Sequence, residues 1–324
     1  MRIDRLGEAG LIRLIQQTIK PCSRARLGIE DDAAVLADGT VITTDAYAEG
    51  VHFDSAYMTH YDIGRRCACA ALSDIVAMAA EPDAVLVSLA VPPAISKEAI
   101  RQLYRGIGYV CSRLNCEIVG GDTIALDHMI LTITATGHSR RPCFRSGAKP
   151  GDSVYLTGYA GLAETGRIVL SYGTFGSRSG WTAAVRRHLL PLPRIAAMRK
   201  LAPHLHALID TSDGLATDAG HIARLSRVRI ELDASAIPIT PATRRLCAMR
   251  GIDPLEFCLA SGEDYELLFT APVNLARVIA DTPIVKIGTV KRGHGLFLRD
   301  RLGIRPLKAC GYDHLRPNLH QQAS

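Results

Sequence analysis

The feature that most constrains the fold is an alternation of strand-like and helix-like segments that runs twice along the chain. In the first run, residues 84–91, 116–119 and 129–137 are rich in Val, Ile and Thr, whereas residues 63–80 and 97–114 carry apolar residues at helical spacing. A turn-rich segment follows, and then strands and helices alternate again. This pattern predicts a mixed α/β fold in two domains.

The turn-rich segment is residues 145–152, with the sequence RSGAKPGD. We place the domain boundary there, which gives an N-terminal domain over residues 1–144 and a C-terminal domain over residues 145–324. The length of 324 residues suits two domains of ordinary size. Residues 172–193 are rich in Gly, Ser and Arg without a clear period, which predicts a mobile loop or a lid.

Composition and patterning exclude several classes of protein. The chain is 48% hydrophobic and 22% charged, which is typical of a globular protein. Its longest apolar stretch, 84–95, is broken by Ser88 and by Pro92-Pro93, so we expect no membrane span. The amino terminus lacks the layout of a secretory signal. Nine cysteines without a C-x-x-C pair predict reduced thiols and a cytoplasmic location, not a disulfide framework or a zinc site.

The chemically informative residues are aspartates that stand beside Gly, Ser or Thr. They occur in five short motifs, most of which we expect where a strand gives way to a loop: Asp31-Asp32, Thr43-Thr44-Asp45, Ser73-Asp74, Gly120-Gly121-Asp122-Thr123 and Asp210-Thr211-Ser212-Asp213-Gly214. Carboxylate and hydroxyl oxygens are the ligands that Mg²⁺ prefers, and Mg²⁺ usually bridges carboxylates to phosphates. Any one motif could be only a turn or a helix cap. Five together indicate a metal site, because clustered like charges require compensating cations.

The phosphate-binding part of such a site is less distinct. The sequence has neither a P-loop nor a dinucleotide-binding G-x-G-x-x-G after a strand. The backbone amides of Gly120-Gly121 could approach a phosphate, since glycine adds no side chain. Arg145 could add a bidentate phosphate contact, although a lone arginine is more often a surface charge.

Taken in order, the motifs resemble the thiamine-monophosphate kinase family over residues 6–316. The matching blocks are 28–35 (GIEDDAAV), 43–45 (TTD), 49–53 (EGVHF), 71–78 (ALSDIVAM), 120–123 (GGDT), 145–152 (RSGAKPGD), 210–215 (DTSDGL), 261–267 (SGEDYEL) and 311–314 (GYDH). Several blocks are shared with the wider superfamily of aminoimidazole ribonucleotide synthetase, selenophosphate synthetase and the hydrogenase-maturation ATPase. The blocks at 49–53, 261–267 and 311–314 are those that point to the thiamine enzyme.

The resemblance implies a two-domain fold with mixed sheets, in which the N-terminal domain pairs with a second copy to form a barrel-like homodimer core. It also implies transfer of the γ-phosphoryl group of ATP to thiamine monophosphate with the help of several Mg²⁺ ions, and it leaves open whether K⁺ assists. By position, the metal ligands would be Asp32, Thr43, Thr44, Asp45, Asp74, Asp122, Asp210 and Asp213. Nucleotide contacts would be Gly121, Asp122, Arg145 and Ser212, and substrate contacts would be His52, Glu263 and Tyr312. Transfer between two phosphates is dominated by positioning and charge neutralisation, so we assign no catalytic residue beyond the metal ligands.

Two departures from the family pattern carry expectations of their own. Glu30 replaces a usual glycine before Asp31-Asp32. A positive φ there would strain glutamate; otherwise Glu30 adds a further carboxylate beside the metals. Ala79-Ala80 replaces the commoner Gly-Ala, which we expect to be a minor packing change.

Two other functions would leave recognisable features in the sequence. Another ATPase of the superfamily would need a cysteine or lysine nucleophile near the amino terminus, and Cys22, which lacks surrounding glycines, is the only early cysteine. A nucleic-acid-binding protein is suggested by the net charge of +6 and by the basic clusters Arg186-Arg187-His188 and Arg244-Arg245. The basic residues are scattered and aromatic residues make up only 5%, so we expect no nucleic-acid partner.

Overall fold

Two mixed β-sheets, whose strands come from either side of residue 145, organise the fold. The computed structural model describes residues 7–20, 25–173, 178–272, 274–308, 311 and 315. Each sheet combines antiparallel pairs with one parallel pair, β4 with β5 in the first and β9 with β13 in the second. The predicted mixed α/β class is therefore confirmed. The domain boundary itself stays a prediction.

The first sheet has the strand order β1-β2-β3-β6-β4-β5. Its strands are β1 (Ala25–Leu27), β2 (Ala34–Leu36), β3 (Thr40–Ala48), β4 (Glu81–Val91), β5 (Glu117–Ala125) and β6 (Ile130–His138). The β2–β3 hairpin turns at Asp38 and Gly39. Gly39 has a φ of +94°, and the Asp38 carboxylate accepts a hydrogen bond from the Thr40 amide at 2.9 Å.

The second sheet has the order β14-β13-β9-β12-β7-β10-β8, with β11 paired to β12. Its strands are β7 (Ser153–Thr157), β8 (Ala207–Asp210), β9 (Arg229–Asp233), β10 (Leu267–Ala271), β11 (Val278–Ile279), β12 (Thr282–Lys291), β13 (Gly295–Asp300) and β14 (Gly303–Pro306). The strands β7 and β10 and the edge strand β8 are buried along their whole length. Because β8 ends at Asp210, this carboxylate lies at the end of the strand that forms one edge of the sheet.

The α-helices cover the sheets and join them. They are α1 (Glu8–Thr18), α2 (His60–Ala77), α3 (Lys97–Leu114), α4 (Leu162–Tyr172), α5 (Thr182–Leu189), α6 (Ile195–Leu201), α7 (Leu215–Leu225), α8 (Pro241–Arg250) and α9 (Pro254–Ala260). Among the described helices, none combines the length and the apolar character that crossing a bilayer requires.

Helix α2 lies between the two sheets and is buried on nearly every side. It contacts β3 and β6 of the first sheet and β8 of the second. Thr59 begins it with a capping box, in which the Thr59 hydroxyl accepts from the Asp62 amide and Asp62 accepts from the Thr59 amide. Its small residues permit close packing: a Cβ at Gly64 would lie 2.1 Å from the carbonyl oxygen of Leu103 on α3. Helix α2 can therefore carry functional side chains into the space between the domains.

Three local predictions differ from the structure. Strand β3 continues to Ala48, so Thr43, Thr44 and Asp45 lie inside a strand and not where one ends. Strand β5 extends to Ala125, so Gly120, Gly121 and Asp122 lie inside a strand and not after one. The segment 172–193 is not a simple loop, because α5 spans Thr182–Leu189 and Trp181 is fully buried, with the guanidinium of Arg245 4.9 Å from its ring centre. Residues 174–177 lie outside the described residues.

Candidate active site

Three carboxylates from three separate elements converge between the domains. Asp32 lies in the loop before β2, Asp74 in the last turn of α2, and Asp210 at the end of β8. One carboxylate oxygen from each lies within 4.8 Å of those of the others. We call these three residues the carboxylate cluster. Its geometry can hold a cation, and it joins three of the predicted metal ligands.

Electrostatics in the carboxylate cluster disfavour three simultaneous negative charges. Burial, followed by the nearby charge of Asp32, raises the pKa of Asp210 to about 8. Burial and the charges of Asp45, Asp210 and Asp32 raise the pKa of Asp74 well above its ordinary value. The cluster therefore holds protons at neutral pH unless a cation displaces them.

Two oxygens of the carboxylate cluster are buried without a hydrogen-bond partner among the described residues. They are Oδ2 of Asp32 and Oδ1 of Asp210. The other oxygen of Asp210 accepts from the Ser73 hydroxyl at 2.5 Å. Buried carboxylate oxygens are ordinarily paired, so two without such a partner in one cluster fit a hard cation such as Mg²⁺.

Arg145 supplies a positive charge to the same place. Its guanidinium forms a short ion pair with Asp32 and lies 3.6 Å from Asp31, whose carboxylate also accepts the Arg145 amide at 3.0 Å. Burial, followed by the charge of Asp32, raises the pKa of Asp31 to about 7 despite this contact. Arg145 thus lies beside the predicted metal ligands, within reach of an anion bound to them.

Strand β3 divides its three predicted ligands between two faces. The Thr43 hydroxyl donates to Asp74 at 2.8 Å, and Asp45 accepts from the Tyr47 hydroxyl at 2.8 Å. The Thr44 hydroxyl instead pairs with that of Thr134 on β6 at 3.0 Å. Side chains alternate along a strand, so the Thr44 side chain cannot face the carboxylate cluster together with its neighbours.

Gly121 and Asp122 lie away from the carboxylate cluster within one chain. Register pairs Asp45 with Ile133 on β6, Ile133 with Val87 on β4, and Val87 with Gly121 on β5. Three strand spacings separate β3 from β5, which is about 14 Å. Strand β5 is exposed along its whole length. A single copy therefore does not bring these two predicted residues to the other ligands.

The remaining predicted residues lie on two loops that pack together. Ser212 and Asp213 occupy the turn between Asp210, which ends β8, and Leu215, which begins α7. The carbonyl oxygen of Ser212 accepts the Glu263 amide at 2.9 Å. Gly262 is needed there, because a Cβ at Gly262 would lie 2.1 Å from the same carbonyl oxygen. Tyr312 lies outside the described residues.

His52 and Glu263 meet at one buried cation. Nδ1 of His52 accepts the Ala48 amide at 3.1 Å, so the neutral ring carries its proton on Nε2. Glu263 is one-third exposed and lies 2.5 Å from a guanidinium nitrogen of Arg66. The same guanidinium donates to the carbonyl oxygen of His52 at 3.2 Å. The two predicted substrate contacts are therefore linked through Arg66.

Sequence reasoning missed several residues at this site. Asp218 on α7 is buried, and burial followed by the charges of Asp213 and Asp210 raises its pKa well above the ordinary value. Glu266 is buried with Arg187 and Arg194 as ion-pair partners. A usable signal existed for Arg66, since it comes directly before an uninterrupted apolar run in the same helix, residues 67–72 (CACAAL).

The two departures from the family pattern have structural outcomes. Glu30 is exposed and is not among the described residues with a positive φ, so glutamate is not strained there, and it is not part of the carboxylate cluster. Ala79 has a φ of +51°, a conformation that favours glycine. The substitution of alanine for glycine at this position is therefore a change in backbone strain as well as in packing.

Comparison with known proteins gives a consistent result along the chain. Residues 30–139 match the model of the AIR synthase related protein, N-terminal domain, and residues 149–301 match that of the C-terminal domain. The thiamine-monophosphate kinase of Aquifex aeolicus is 33% identical over 92% of this chain and 96% of that protein. The Bacillus subtilis enzyme of the same name is 31% identical over 96% and 100%. A solved structure described as AaThiL complexed with AMPPCP and TMP has a TM-score of 0.88 at 31% identity and covers 97% of this chain and 99% of its own.

Proposed function

This chain belongs to the thiamine-monophosphate kinase family, and on that premise we propose that it phosphorylates thiamine monophosphate with ATP, giving thiamine diphosphate and ADP. The observation that carries the proposal is the carboxylate cluster, which combines ligands from both domains within 4.8 Å. A relative of the same fold holds an ATP analogue together with TMP. Phosphoryl transfer needs such a centre, because charge neutralisation and alignment of the two phosphates dominate its catalysis.

The reaction would be a direct in-line transfer. The acceptor oxygen belongs to a phosphate that is already ionised at neutral pH, so no strong general base is required. Mg²⁺ held by Asp32, Asp74 and Asp210 would neutralise the phosphate charge when bound. Arg145 lies next to Asp32 and would then be available to an ATP phosphate, and His52 and Glu263 would hold the acceptor. We treat Asp45 and Asp213 as further metal ligands.

A biochemical assay tests this function. The purified chain, supplied with ATP, thiamine monophosphate and Mg²⁺, should form thiamine diphosphate and ADP in equal amounts. Asp45→Asn and Asp213→Asn should lose nearly all turnover, because each removes a metal-binding charge without changing size. Asp83→Asn, an exposed aspartate on β4, is the matched control. Full activity in both site variants would overturn the metal assignment, and replacing KCl by NaCl tests K⁺ separately.

We further propose that the active form is a homodimer in which a partner supplies Gly121 and Asp122. Two open edges support this. Among the described strands, β5 has a neighbour on one side only, and β2 pairs with β3 only at Val41 and Ile42, which leaves the rest of β3 open on that side. Pairing β5 of one copy with the open part of β3 in the other would close a barrel of eight strands. It would also bring Asp122 next to Asp45.

Mixed dimers test this arrangement. Asp45→Asn and Asp122→Asn homodimers should each be inactive. In a mixed dimer, one site would carry both substitutions and the other neither, so random mixing should restore about a quarter of the wild-type activity. Mixtures that stay as inactive as the separate variants would contradict a shared site.

The seven cysteines that the structure describes are buried free thiols, which supports a cytoplasmic location as a further part of the proposal.

A further inference from the structure

We propose that Arg66 is a positioning residue that holds the two acceptor contacts, His52 and Glu263, at a fixed separation across the domain interface. The proposal rests on the function proposed above. It assigns a role to a buried cation outside the metal-binding machinery.

The contacts of Arg66 join three separate segments. Its Nε donates to the carbonyl oxygen of His52 at 3.2 Å, in the loop after β3. Its Nη1 donates to the carbonyl oxygen of His188 at 2.7 Å, in the last turn of α5. Its Nη2 lies 2.5 Å from Oε2 of Glu263, in the loop before β10. One guanidinium thus connects one segment of the N-terminal domain with two of the C-terminal domain.

Burial makes these contacts rigid. The Arg66 side chain is 3% exposed, so water cannot replace a lost partner easily. Burial lowers the pKa of Arg66, but the charge and hydrogen-bonding contact of Glu263, together with Tyr265 and Cys67, more than offset this, so the guanidinium stays protonated. A carbonyl in the last turn of a helix is also a favourable partner for a cation.

The loop that carries Glu263 has a strained backbone and depends on contacts with other segments to keep its conformation. Glu263 has a φ of +61° and Tyr265 has a φ of +48°, both in the left-handed region that non-glycine residues rarely adopt. The Glu263 amide is bound to the Ser212 carbonyl oxygen, which fixes the loop on the metal side. Arg66 fixes its side chain on the other side. The carboxylate therefore has a set direction before substrate arrives.

Arginine suits this role better than lysine. The planar guanidinium presents donors in fixed directions, and in Arg66 two of its nitrogens bind carbonyl oxygens while the third lies in ion-pair contact with a carboxylate. An ammonium group would keep the ion pair with Glu263 but could not hold both carbonyl oxygens at these positions. Arg66→Lys therefore retains the charge and removes the geometric link, which is the change that a test needs.

The test compares Arg66→Lys with wild type by steady-state kinetics for both substrates and by thermal melting. We expect kcat/KM for thiamine monophosphate to fall by about tenfold or more, since a misplacement of about 1 Å can cost up to a hundredfold. The KM for ATP should change by less than about twofold. Arg199→Lys is the control, because Arg199 and Glu81 form another ion pair between the domains, half-exposed and on α6 and β4. It should leave both parameters unchanged.

A double-mutant cycle with Glu263→Gln separates positioning from general destabilisation. If Arg66 acts through Glu263, Arg66→Lys should cost less in the Glu263→Gln background than in wild type, about threefold instead of about tenfold. Independent, multiplying effects would overturn the proposal, as would equal losses for both substrates. If Arg66→Lys fails to fold, a second comparison replaces it. The double variant Arg66→Gln, Glu263→Gln, which loses both charges of the ion pair, is compared with Glu263→Gln alone. Any further loss in the double variant then measures the effect of losing the Arg66 contact with His52.

The outcomes also separate this inference from the proposed function. A wild-type enzyme that turns over thiamine monophosphate and an Arg66→Lys variant with unchanged kinetics would refute the positioning role alone. A wild-type chain that forms no thiamine diphosphate would refute both.

Discussion

Removing one charge from the carboxylate cluster should stabilise the metal-free protein while it abolishes metal binding. Asp74→Asn preserves shape and can still accept the Thr43 hydroxyl, which now donates to Asp74 at 2.8 Å. At a separation of 4.8 Å and an effective dielectric constant of about 20, two like charges repel by about 3.5 kcal/mol. Because Arg145 offsets part of this repulsion, we expect a net gain in unfolding free energy of about 2 kcal/mol.

The gain should depend on pH with a definite sign. The pKa of Asp210 is raised to about 8 from an ordinary value near 3.8, so the folded protein binds more protons than the unfolded chain between these values. The stability of the metal-free wild type therefore falls as pH rises through this window. Asp74→Asn should match wild type near pH 5, where the cluster is protonated, and exceed it near pH 9.

Thermal melting in a chelator measures the effect. At pH 9 the Asp74→Asn variant should melt about 4 °C higher than wild type, with Asp83→Asn as the control for an exposed aspartate. Adding Mg²⁺ should raise the melting temperature of wild type by mass action and that of Asp74→Asn much less. A variant that gains nothing at pH 9, or that responds to Mg²⁺ as wild type does, would refute the argument that these carboxylates share one cation site.

Three further predictions concern the backbone, the sheet edge and metal affinity. Ala79→Gly should raise the free energy of unfolding in urea by about 0.5–1 kcal/mol, since Ala79 has a φ of +51°, whereas Ala80→Gly should lower it. Gly121→Ala should displace β5 and abolish activity, because a Cβ there would lie 1.9 Å from the Val87 carbonyl oxygen; Gly120→Ala, where the Cβ meets only a Leu86 methyl carbon at 3.3 Å, should retain the fold by circular dichroism. Mg²⁺ affinity measured by calorimetry should rise between pH 6 and pH 8.5, because Asp210 must release its proton, and a flat profile would contradict the raised pKa.

The secondary structure was predictable wherever periodicity was clear. Helix α3 spans Lys97–Leu114 as its spacing indicates, and the strand predicted at 84–91 forms most of β4. The sequence predicts that β5 ends before Gly120-Gly121, because two glycines are typical of a turn. In the structure the strand continues, and the absence of a side chain at Gly121 lets the β4 backbone approach closely. Helix α5 was missed because tertiary packing, not periodicity, stabilises so short a segment.

The site was predictable in residue type but not in grouping. The sequence indicates an oxygen-ligand metal site. Only the fold shows that Asp32, Asp74 and Asp210 lie together, while Asp122 on β5 lies three strand spacings from β3. Alternation along β3 separates Thr44 from its neighbours, which residue type alone does not reveal. Arg66 was missed because a charged residue on a helix is ordinarily solvated.

The burial of α2 between both sheets has a consequence for biosynthesis. The ribosome releases residues 1–144 before β8, α5 and α6, which cover the remaining sides of α2, have been made. Until they arrive, the face of α2 that these elements cover in the folded protein stays uncovered in the nascent first domain. A truncated chain ending near residue 144 should therefore depend on chaperones or aggregate, and the second domain acts as an intramolecular cover for the first.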